Sequence, residues 1–358
     1  MKLGIQKSRS GIALIIVMLV IVVLGLLAAG FAYSMKVETT LARNAGADDE
    51  LELLARSGVE LARYVLGQQL NIPSEASFDA LNQKWAGGPG STNELLADVS
   101  LEECKLGRGK FSVKIIDLER KINVNYANRL VLERAMDLLN VDSIDASTIV
   151  DSIEDWRDRN SNPQINGAES EYYLSLPKPY YAKDGPIDDL SELLVVRGVT
   201  PDHYWGPGRT NAAMKRFPAY AISFPPGGGA TGSSVGLFDL FNTIGRLQIN
   251  INTAPKEVLQ LLPGIDESLA AGIVKLRAGL DTVDGTEDDT PFHSPGELIN
   301  VPGMIPQFVQ QLQQFCGIRS FTFEVQVDAE IDKYSRRLVA LLIRTGSRNV
   351  QVLSMHWD

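Results

Sequence analysis

A stretch without charge or proline near the N-terminus constrains this 358-residue chain more than any other feature. It runs from Ile12 to Met35, and these 24 positions would form a helix of about 36 Å. A bilayer core is about 30 Å thick, so the stretch predicts a membrane-spanning helix. Lys2, Lys7 and Arg9 precede it without any acidic residue, which predicts a cytoplasmic N-terminus and an exported C-terminal bulk.

The helical pattern continues beyond the apolar stretch. Apolar and small residues recur at spacings of three and four, namely Leu51, Leu54, Gly58, Leu61, Ala62 and Val65. We therefore expect one helix from about Ile12 to Leu70, half in lipid and half as the spine of a soluble domain. The alternatives are a plain membrane anchor, or a secretory signal peptide with a shorter apolar region and a small-residue cleavage site.

The rest of the chain combines strand and helix signals. Alternating apolar residues begin at Lys110, and further strand-like runs follow at 321–331, 337–344 and 350–357. They predict an antiparallel sheet under the long helix, hence an α+β fold. The net charge of −10 argues against nucleic acid as the main partner.

A mostly helical insert with an internal repeat separates the strand signals. INVNYA at 122–127 returns as ININTA at 249–254, and ELLVVRG at 192–198 returns as ELINVPG at 297–303. Two copies indicate duplicated helical subdomains rather than a solenoid. The segment 225–236 is rich in glycine and serine and predicts a flexible loop.

Two acidic segments of the insert are candidate calcium sites, because Ca²⁺ prefers carboxylate and amide oxygens. The first candidate comprises five residues around Gly285: Asp281, Asp284, Glu287, Asp288 and Asp289. The second surrounds Gly167, and its candidate ligands are Asp155, Asp158, Asn160, Glu169 and Glu171. In both places a solvated acidic surface is the alternative.

Other functional signals are few. Cys104 and Cys316 form a candidate disulfide, with two buried thiols as the alternative. The histidines are isolated, and no Ser/His/Asp, Cys/His or glycine-rich phosphate motif is present in the sequence. We therefore do not expect an enzyme.

The N-terminus resembles a type IV prepilin processing site, in which Gly11 would end a basic leader and Ile12 would begin the mature chain. That resemblance implies cleavage and methylation by a prepilin peptidase, and a pilin-like fold. Pilins usually have glutamate at the fifth mature position, where this chain has Ile16. In that respect it resembles the minor pseudopilin K family of type II secretion systems.

The strings INVNYA, DSIEDWRDRN, GAESEYY, DDLSELLVVRG and INTAPKEVLQLLPGI also resemble that family, over nearly the whole chain. The resemblance implies an inner-membrane protein of a Gram-negative bacterium with a periplasmic C-terminal domain and calcium in the insert. It also implies a place at the tip of a short fibre, with minor pseudopilins of the I, J and H types as partners.

This reading divides the chain into seven segments. They are a leader (1–11), a transmembrane helix (12–35), the rest of the helix with the first sheet segment (36–125), a first helical repeat (126–210), a linker and sheet segment (211–253), a second helical repeat (254–315) and a C-terminal β-meander (316–358).

A second family gives a different function. Residues 261–277 and 292–303 also resemble the helix-hairpin-helix modules of membrane-anchored competence DNA receptors. Such modules bind phosphate through backbone N–H groups at a glycine-rich turn. Here Asp266 stands where a second glycine is usual, and residues 254–315 hold three basic and nine acidic residues, a net of −6. That charge disfavours DNA.

The basic leader generates the first prediction. Co-expression with a prepilin peptidase should give a mature chain that begins at Ile12, as measured by mass spectrometry of the intact protein. A bulky residue in place of Gly11 should block the cleavage, because the peptidase cuts after a small residue. Cleavage near Ala28–Ala29 would instead identify a secretory signal peptide and refute the assignment.

Overall fold

The computed structural model describes residues 10–90, 95–207 and 235–358, without the side chains of residues 10–12 and 42–45. The leader residues 1–9 therefore lie outside the described part. So do residues 211–234 of the predicted linker, which include most of the predicted loop at 225–236.

One 60-residue helix, α1 (Ser10–Gln69), forms the N-terminal part, in agreement with the predicted continuous helix. Its first half is exposed, and it is the one helix among the described residues that is long and apolar enough to cross a membrane. Its second half buries a stripe that includes Leu51, Ala55, Ala62 and Leu66. An all-round apolar segment is typical of a membrane-spanning helix, and a single apolar stripe is typical of a helix that packs on protein.

The stripe of α1 packs on a five-stranded antiparallel sheet with the order β1-β2-β7-β8-β9. The strands are β1 (Cys104–Leu106), β2 (Gly109–Asp117), β7 (Thr322–Ile331), β8 (Tyr334–Gly346) and β9 (Asn349–Trp357). The absence of a Cβ at Gly58 lets the helix approach the sheet, because a Cβ there would lie 2.4 Å from Val327 Cγ1. The helix and the inner face of the sheet share one hydrophobic core.

The insert between β2 and β7 has a second hydrophobic core. Its described helices are α2 (Arg129–Leu138), α3 (Ser143–Arg157), α4 (Ser170–Leu174), α5 (Pro201–Trp205), α6 (Leu237–Leu240), α7 (Lys256–Leu259), α8 (Glu267–Arg277) and α9 (Pro306–Leu312). Short 3₁₀ helices span Leu190–Val195 and Pro295–Asn300. The remaining strands form two parallel pairs, β3 (Ile122–Asn123) with β4 (Phe241–Asn242) and β5 (Ile249–Asn250) with β6 (Cys316–Gly317).

The internal repeat recurs as a hydrogen-bonding pattern. Asn125 and Asn252 are 127 positions apart, and each holds a distant loop by two hydrogen bonds. The side chain of Asn125 donates to the carbonyl and accepts from the N–H of Ile187, and that of Asn252 does the same with Phe292. Both 3₁₀ helices are followed three residues later by a glycine with positive φ, Gly198 at 86° and Gly303 at 91°. The two units therefore share a local architecture, because glycine adopts this backbone conformation without strain.

A buried polar cluster joins the two cores. Arg344 of β8 donates to the carboxylate of Asp79 at 2.5 Å and to the carbonyl of Ser320 at 2.7 Å. The side chain of Asn250 donates to Asp79 O at 2.9 Å and to Ser320 Oγ at 2.8 Å. Ser320 in turn donates to Asp117, whose pKa is raised to about 7 by burial and by the nearby charge of Glu119.

The candidate disulfide between Cys104 and Cys316 is not formed, and both residues are free thiols. Cys104 lies on β1 at one edge of the main sheet, and Cys316 is buried on β6 in the core of the insert. The two cysteines therefore belong to separate hydrophobic cores.

The buried ion pair generates the second prediction. Asp79→Ala should lower the free energy of unfolding by about 3–5 kcal/mol, because it leaves the buried guanidinium of Arg344 without its counter-charge. Urea unfolding followed by tryptophan fluorescence would measure the loss. The matched control is Asp328→Ala, which removes an exposed ion pair with Arg337 and should cost at most about 1 kcal/mol. Similar losses in the two variants would refute a special role for the buried pair.

Candidate functional site

Three buried carboxylates lie around the end of α3. Asp151 and Asp155 are on the last turns of α3, and Glu169 directly precedes α4. Their exposed fractions are 3%, 0% and 4%. Acidic side chains are seldom buried unless they are paired with a cation or hydrogen-bond donors, so each requires an explanation.

Asp151 and Asp155 have partners. Asp151 forms an ion pair with Arg129 at 2.7 Å and accepts a hydrogen bond from the backbone N–H of Asn166 at 3.0 Å. Asp155 accepts from the backbone N–H of Gln164 at 3.2 Å, and burial still raises its pKa. The loop passes very close to Asp155, because a Cβ at Gly167 would lie 1.8 Å from Asp155 Oδ2.

Glu169 has no such partner. Both of its carboxylate oxygens are buried without a hydrogen bond, and so is Oδ1 of Asp184. Burial and the charges of Asp184, Asp155 and Asp158 raise the pKa of Glu169 to about 7. A buried group of like charges with free oxygen atoms either holds protons or binds a cation.

Three of the five predicted ligands of this cluster, Asp155, Asp158 and Glu169, lie close enough to affect one another's charge, but they do not form a metal cage. Asn160 lies on the exposed loop, where its side chain accepts from the N–H of Asn162 at 2.9 Å. Glu171 is exposed on α4. Sequence reasoning missed Asp184, which lies 15 positions after Glu169. The Asp-Gly dipeptide at 184–185 was a local turn signal in the sequence, and in the structure Asp184 has a φ of 50°.

In the loop at 281–289, the buried or half-buried acidic side chains are paired with groups of the loop itself or of α8. Asp284 forms a two-pronged ion pair with Arg277, at 2.9 and 2.7 Å. Asp288 accepts from the backbone N–H groups of Leu280 and Asp281, which lowers its pKa. Asp289 accepts from the N–H of Gly285 at 2.8 Å.

Asp281 and Glu287 are the other two predicted ligands of this loop. The side chain of Asp281 accepts from the N–H of Val283 at 2.8 Å, and Glu287 is exposed. Within the described ranges, no three His, Cys, Asp or Glu side chains converge into a preformed metal cage. The two candidate calcium sites differ in the buried carboxylate oxygens of Glu169, which lack a hydrogen-bond donor, and not in the number of acidic residues.

The hairpin that resembles a DNA-binding module is packed inside the insert. Arg134 of α2 donates to the carbonyl groups of Gln260 and Ile265 at 3.3 Å and also to that of Leu262. The ring of Phe308 lies against Gly264 at the turn, about 3.0 Å from where a Cβ would be. The hairpin thus serves as a packing element between α2 and α9.

The predicted processing residues lie at the start of α1. Gly11 and Ile12 have helical backbone, and their side chains are outside the described part. Ile16 lies in the first half of α1 and is 57% exposed. Its surroundings are wholly apolar, because positions 13–24 are all apolar residues that face outward.

A helix of membrane-spanning length that continues as the spine of an antiparallel sheet defines a pilin-like α+β protein, here with a large helical insert. A family model for type II secretion system protein K matches residues 109–205, and one for the helix-hairpin-helix motif matches residues 246–316. The resemblance of this chain to the type II secretion system protein K family, which its sequence predicts, is confirmed by the first of these matches.

Relatives in three bacteria carry that family name. The protein K of Aeromonas hydrophila is 24% identical over 366 aligned residues, which cover 97% of this chain and 96% of the relative. That of Pectobacterium carotovorum subsp. carotovorum is 37% identical over 59 residues, or 16% of this chain and 18% of the relative. In Klebsiella pneumoniae the identity is 25% over 104 residues, or 25% and 32%.

A solved structure has the same fold. It is the GspK-GspI-GspJ complex from the type 2 secretion system of enterotoxigenic Escherichia coli. The similar chain in it is 18% identical to this one, with a TM-score of 0.60, and the match covers 88% of this chain and 99% of that chain. This likeness confirms the predicted pilin-like fold with an insert.

Proposed function

We propose that this protein is a minor pseudopilin that caps the tip of a periplasmic pseudopilus. There it helps to initiate fibre assembly for the export of folded proteins across the outer membrane. The observation that carries the proposal is the position of the insert. The polar cluster that attaches it includes Asp79, in the segment that follows α1, and Arg344, which also donates to the carbonyl of Leu66 in the last turn of α1.

The insert is therefore attached beyond the C-terminal end of α1, opposite the half that would lie in the membrane. A fibre grows by adding subunits at the membrane, so the end of each subunit that is far from the membrane faces the subunit added before it. A bulky insert at that end leaves no room for a preceding subunit. Such a chain fits the first position of a fibre and no other.

Ile16 supports the same position. A carboxylate in lipid is costly unless it finds a partner, and in a fibre that partner would be the terminal amine of the subunit ahead. A tip subunit has no subunit ahead of it, so an apolar side chain at position 16 is favoured. In this proposal a prepilin peptidase cuts after Gly11, and α1 anchors the chain in the inner membrane until assembly.

The partners would be minor pseudopilins of the I, J and H types. The similar solved protein was crystallised with two other subunits of its system, GspI and GspJ. An exposed apolar half of α1 needs other apolar helices or lipid around it, and a fibre core supplies the former.

We further propose that Ca²⁺ binds at Asp155, Asp158, Glu169 and Asp184 as a structural ion. The residues fit such an ion in their chemistry, because they supply hard oxygen donors and Glu169 lies beside the carboxylate of Asp184. The ion would neutralise the like charges that now raise the pKa of Glu169. It would also tie the end of α3 to the loop that follows it.

A DNA receptor is the alternative function, favoured by the helix-hairpin-helix match at 246–316. The net charge of −6 over residues 254–315 opposes it, and so do the contacts of Arg134 with the hairpin. Retention of the purified protein on DNA at low salt would support the alternative, because phosphate binding strengthens as salt falls.

The calcium proposal generates the third prediction. Calcium removal by a chelator should lower the melting temperature of the detergent-solubilised full chain, because a ligand that binds only the native state stabilises it. Glu169→Gln should largely abolish this response. The matched control Glu171→Gln, at an exposed neighbouring position, should keep it. If Asp281→Asn with Asp288→Asn abolishes the response and Glu169→Gln does not, calcium binds at the second loop instead.

The same site predicts a pH dependence in chelator. The pKa of Glu169 is about 7 in the folded chain and about 4.5 in the unfolded chain, so the native state binds the extra proton. The stabilising contribution of Glu169 should therefore be fully present below about pH 4.5 and be lost as the pH rises through about 7. Asp117 acts in the same direction, so Glu169→Gln should reduce the slope without removing it. An unchanged slope would contradict the pKa assignment.

The assembly proposal generates the fourth prediction. The purified full chain should bind the other minor pseudopilins of its system one-to-one, and electron microscopy should show no homopolymeric fibres. Ile16→Glu should give no gain in fibre initiation, and Ile16→Leu should be nearly silent as its control. Homopolymeric fibres, or a strict requirement for a carboxylate at position 16, would show an ordinary fibre-body subunit.

A further inference from the structure

The two edges of the main sheet are protected very differently. At one edge, β1 has three residues, and charged pairs surround it: Lys110 with Glu103 at 3.0 Å, and Arg108 with Glu50 at 2.6 Å. Short strands and charges are the usual means by which proteins prevent edge pairing. At the other edge, β9 has nine residues with no Asp, Glu, Lys, Arg or Pro among them.

The C-terminal half of β9 is also uncovered on both faces. Residues 353–356 are all exposed, although a strand in a half-covered sheet should alternate between buried and exposed positions. Met355 pairs with the fully buried Ala340 and so faces the side of the sheet that α1 covers, yet it is 43% exposed. The helix therefore covers the middle of the sheet and leaves an apolar ledge along β9.

A bulge marks the start of this ledge. Leu341 pairs with Ser354 and Leu342 with Val352, so Leu353 has no partner on β8. Bulges redirect side chains, and that of Leu353 is 51% exposed. A bulge can also turn an edge away from pairing. Here, however, Ser354 to Trp357 remain in register with β8, with Leu338 opposite Trp357, so their outer edge stays regular.

We propose that the edge Leu353–Trp357 of β9 binds an extended, uncharged strand from another pseudopilin, which would become the sixth strand of the sheet. Backbone hydrogen bonds would provide the affinity, and the apolar side chains of Leu353 and Met355 would select an apolar partner segment. Because β9 has no Asp, Glu, Lys or Arg, recognition along the strand would depend on backbone and apolar contacts. This inference rests on the proposed function, which supplies such partners and places a single copy of this chain at the tip.

Hydrogen exchange with mass spectrometry tests the proposal. The purified full chain is mixed in detergent with each of the other minor pseudopilins of its secretion system. In the complex, exchange at the amides of residues 353–357 should slow about tenfold or more, whereas residues 104–106 of β1 should be unchanged. Slowing confined to α1 or to the insert would overturn the proposal.

Charge substitution gives a second measurement. Leu353→Lys with Met355→Lys should weaken binding about tenfold, because edge lysines oppose strand pairing. The matched control is Leu106→Lys on β1, also exposed and apolar at a sheet edge, which should bind like the unaltered chain. Equal melting temperatures would show that the variants fold.

The outcomes separate the two proposals. Failure of the unaltered chain to bind any pseudopilin would refute the proposed function. Binding that Leu353→Lys with Met355→Lys leaves intact would refute only the docking edge. Concentration-dependent slowing at 353–357 in the chain alone would show that a second copy occupies the edge, which would also overturn the proposal.

Discussion

The attachment of a large helical insert to a small pilin-like domain depends on one buried polar cluster. Asp117 ends β2, Ser320 precedes β7 and Asn250 belongs to the insert, and their side chains meet in a region with no access to solvent. Buried polar groups hold a fixed geometry only if nearly all of them are satisfied. The cluster therefore fixes the orientation of the insert in a way that apolar packing, which is non-directional, would not.

The repeat explains why two acidic loops exist and why they differ. Arg157 and Arg277 each end a helix and donate to equivalent carbonyl groups, those of Val124 and Ile251, 127 positions apart. An acidic loop follows each arginine. In the second unit Arg277 also holds Asp284, whereas in the first unit Arg157 contacts Glu154 at 3.8 Å. Of the buried carboxylates around the first loop, Glu169 is thus left without a cationic side chain to neutralise it.

The sequence predicted those features that leave a periodic signal. The long helix, the strands of the meander and the repeat each follow from residue spacing, and the structure contains them. The two-residue strands β3 to β6 were not predicted as parallel pairs, because such short elements have no period. Asp184 was missed as well, since only the fold brings it to Glu169. The cysteines were read as a possible pair, but the fold assigns them to different cores.

The two halves of α1 have different surroundings, and the sequence of each half suits its own. Its first half is apolar and exposed on every side, as a membrane-spanning helix requires. Its second half needs one apolar stripe, which the sheet covers, and its last turn must accept the guanidinium of Arg344 through Leu66 O. The polar cluster that holds the insert lies near this last turn, so residue 16 and the insert stand at opposite ends of α1. In the proposed fibre, each would limit which neighbour the subunit can accept.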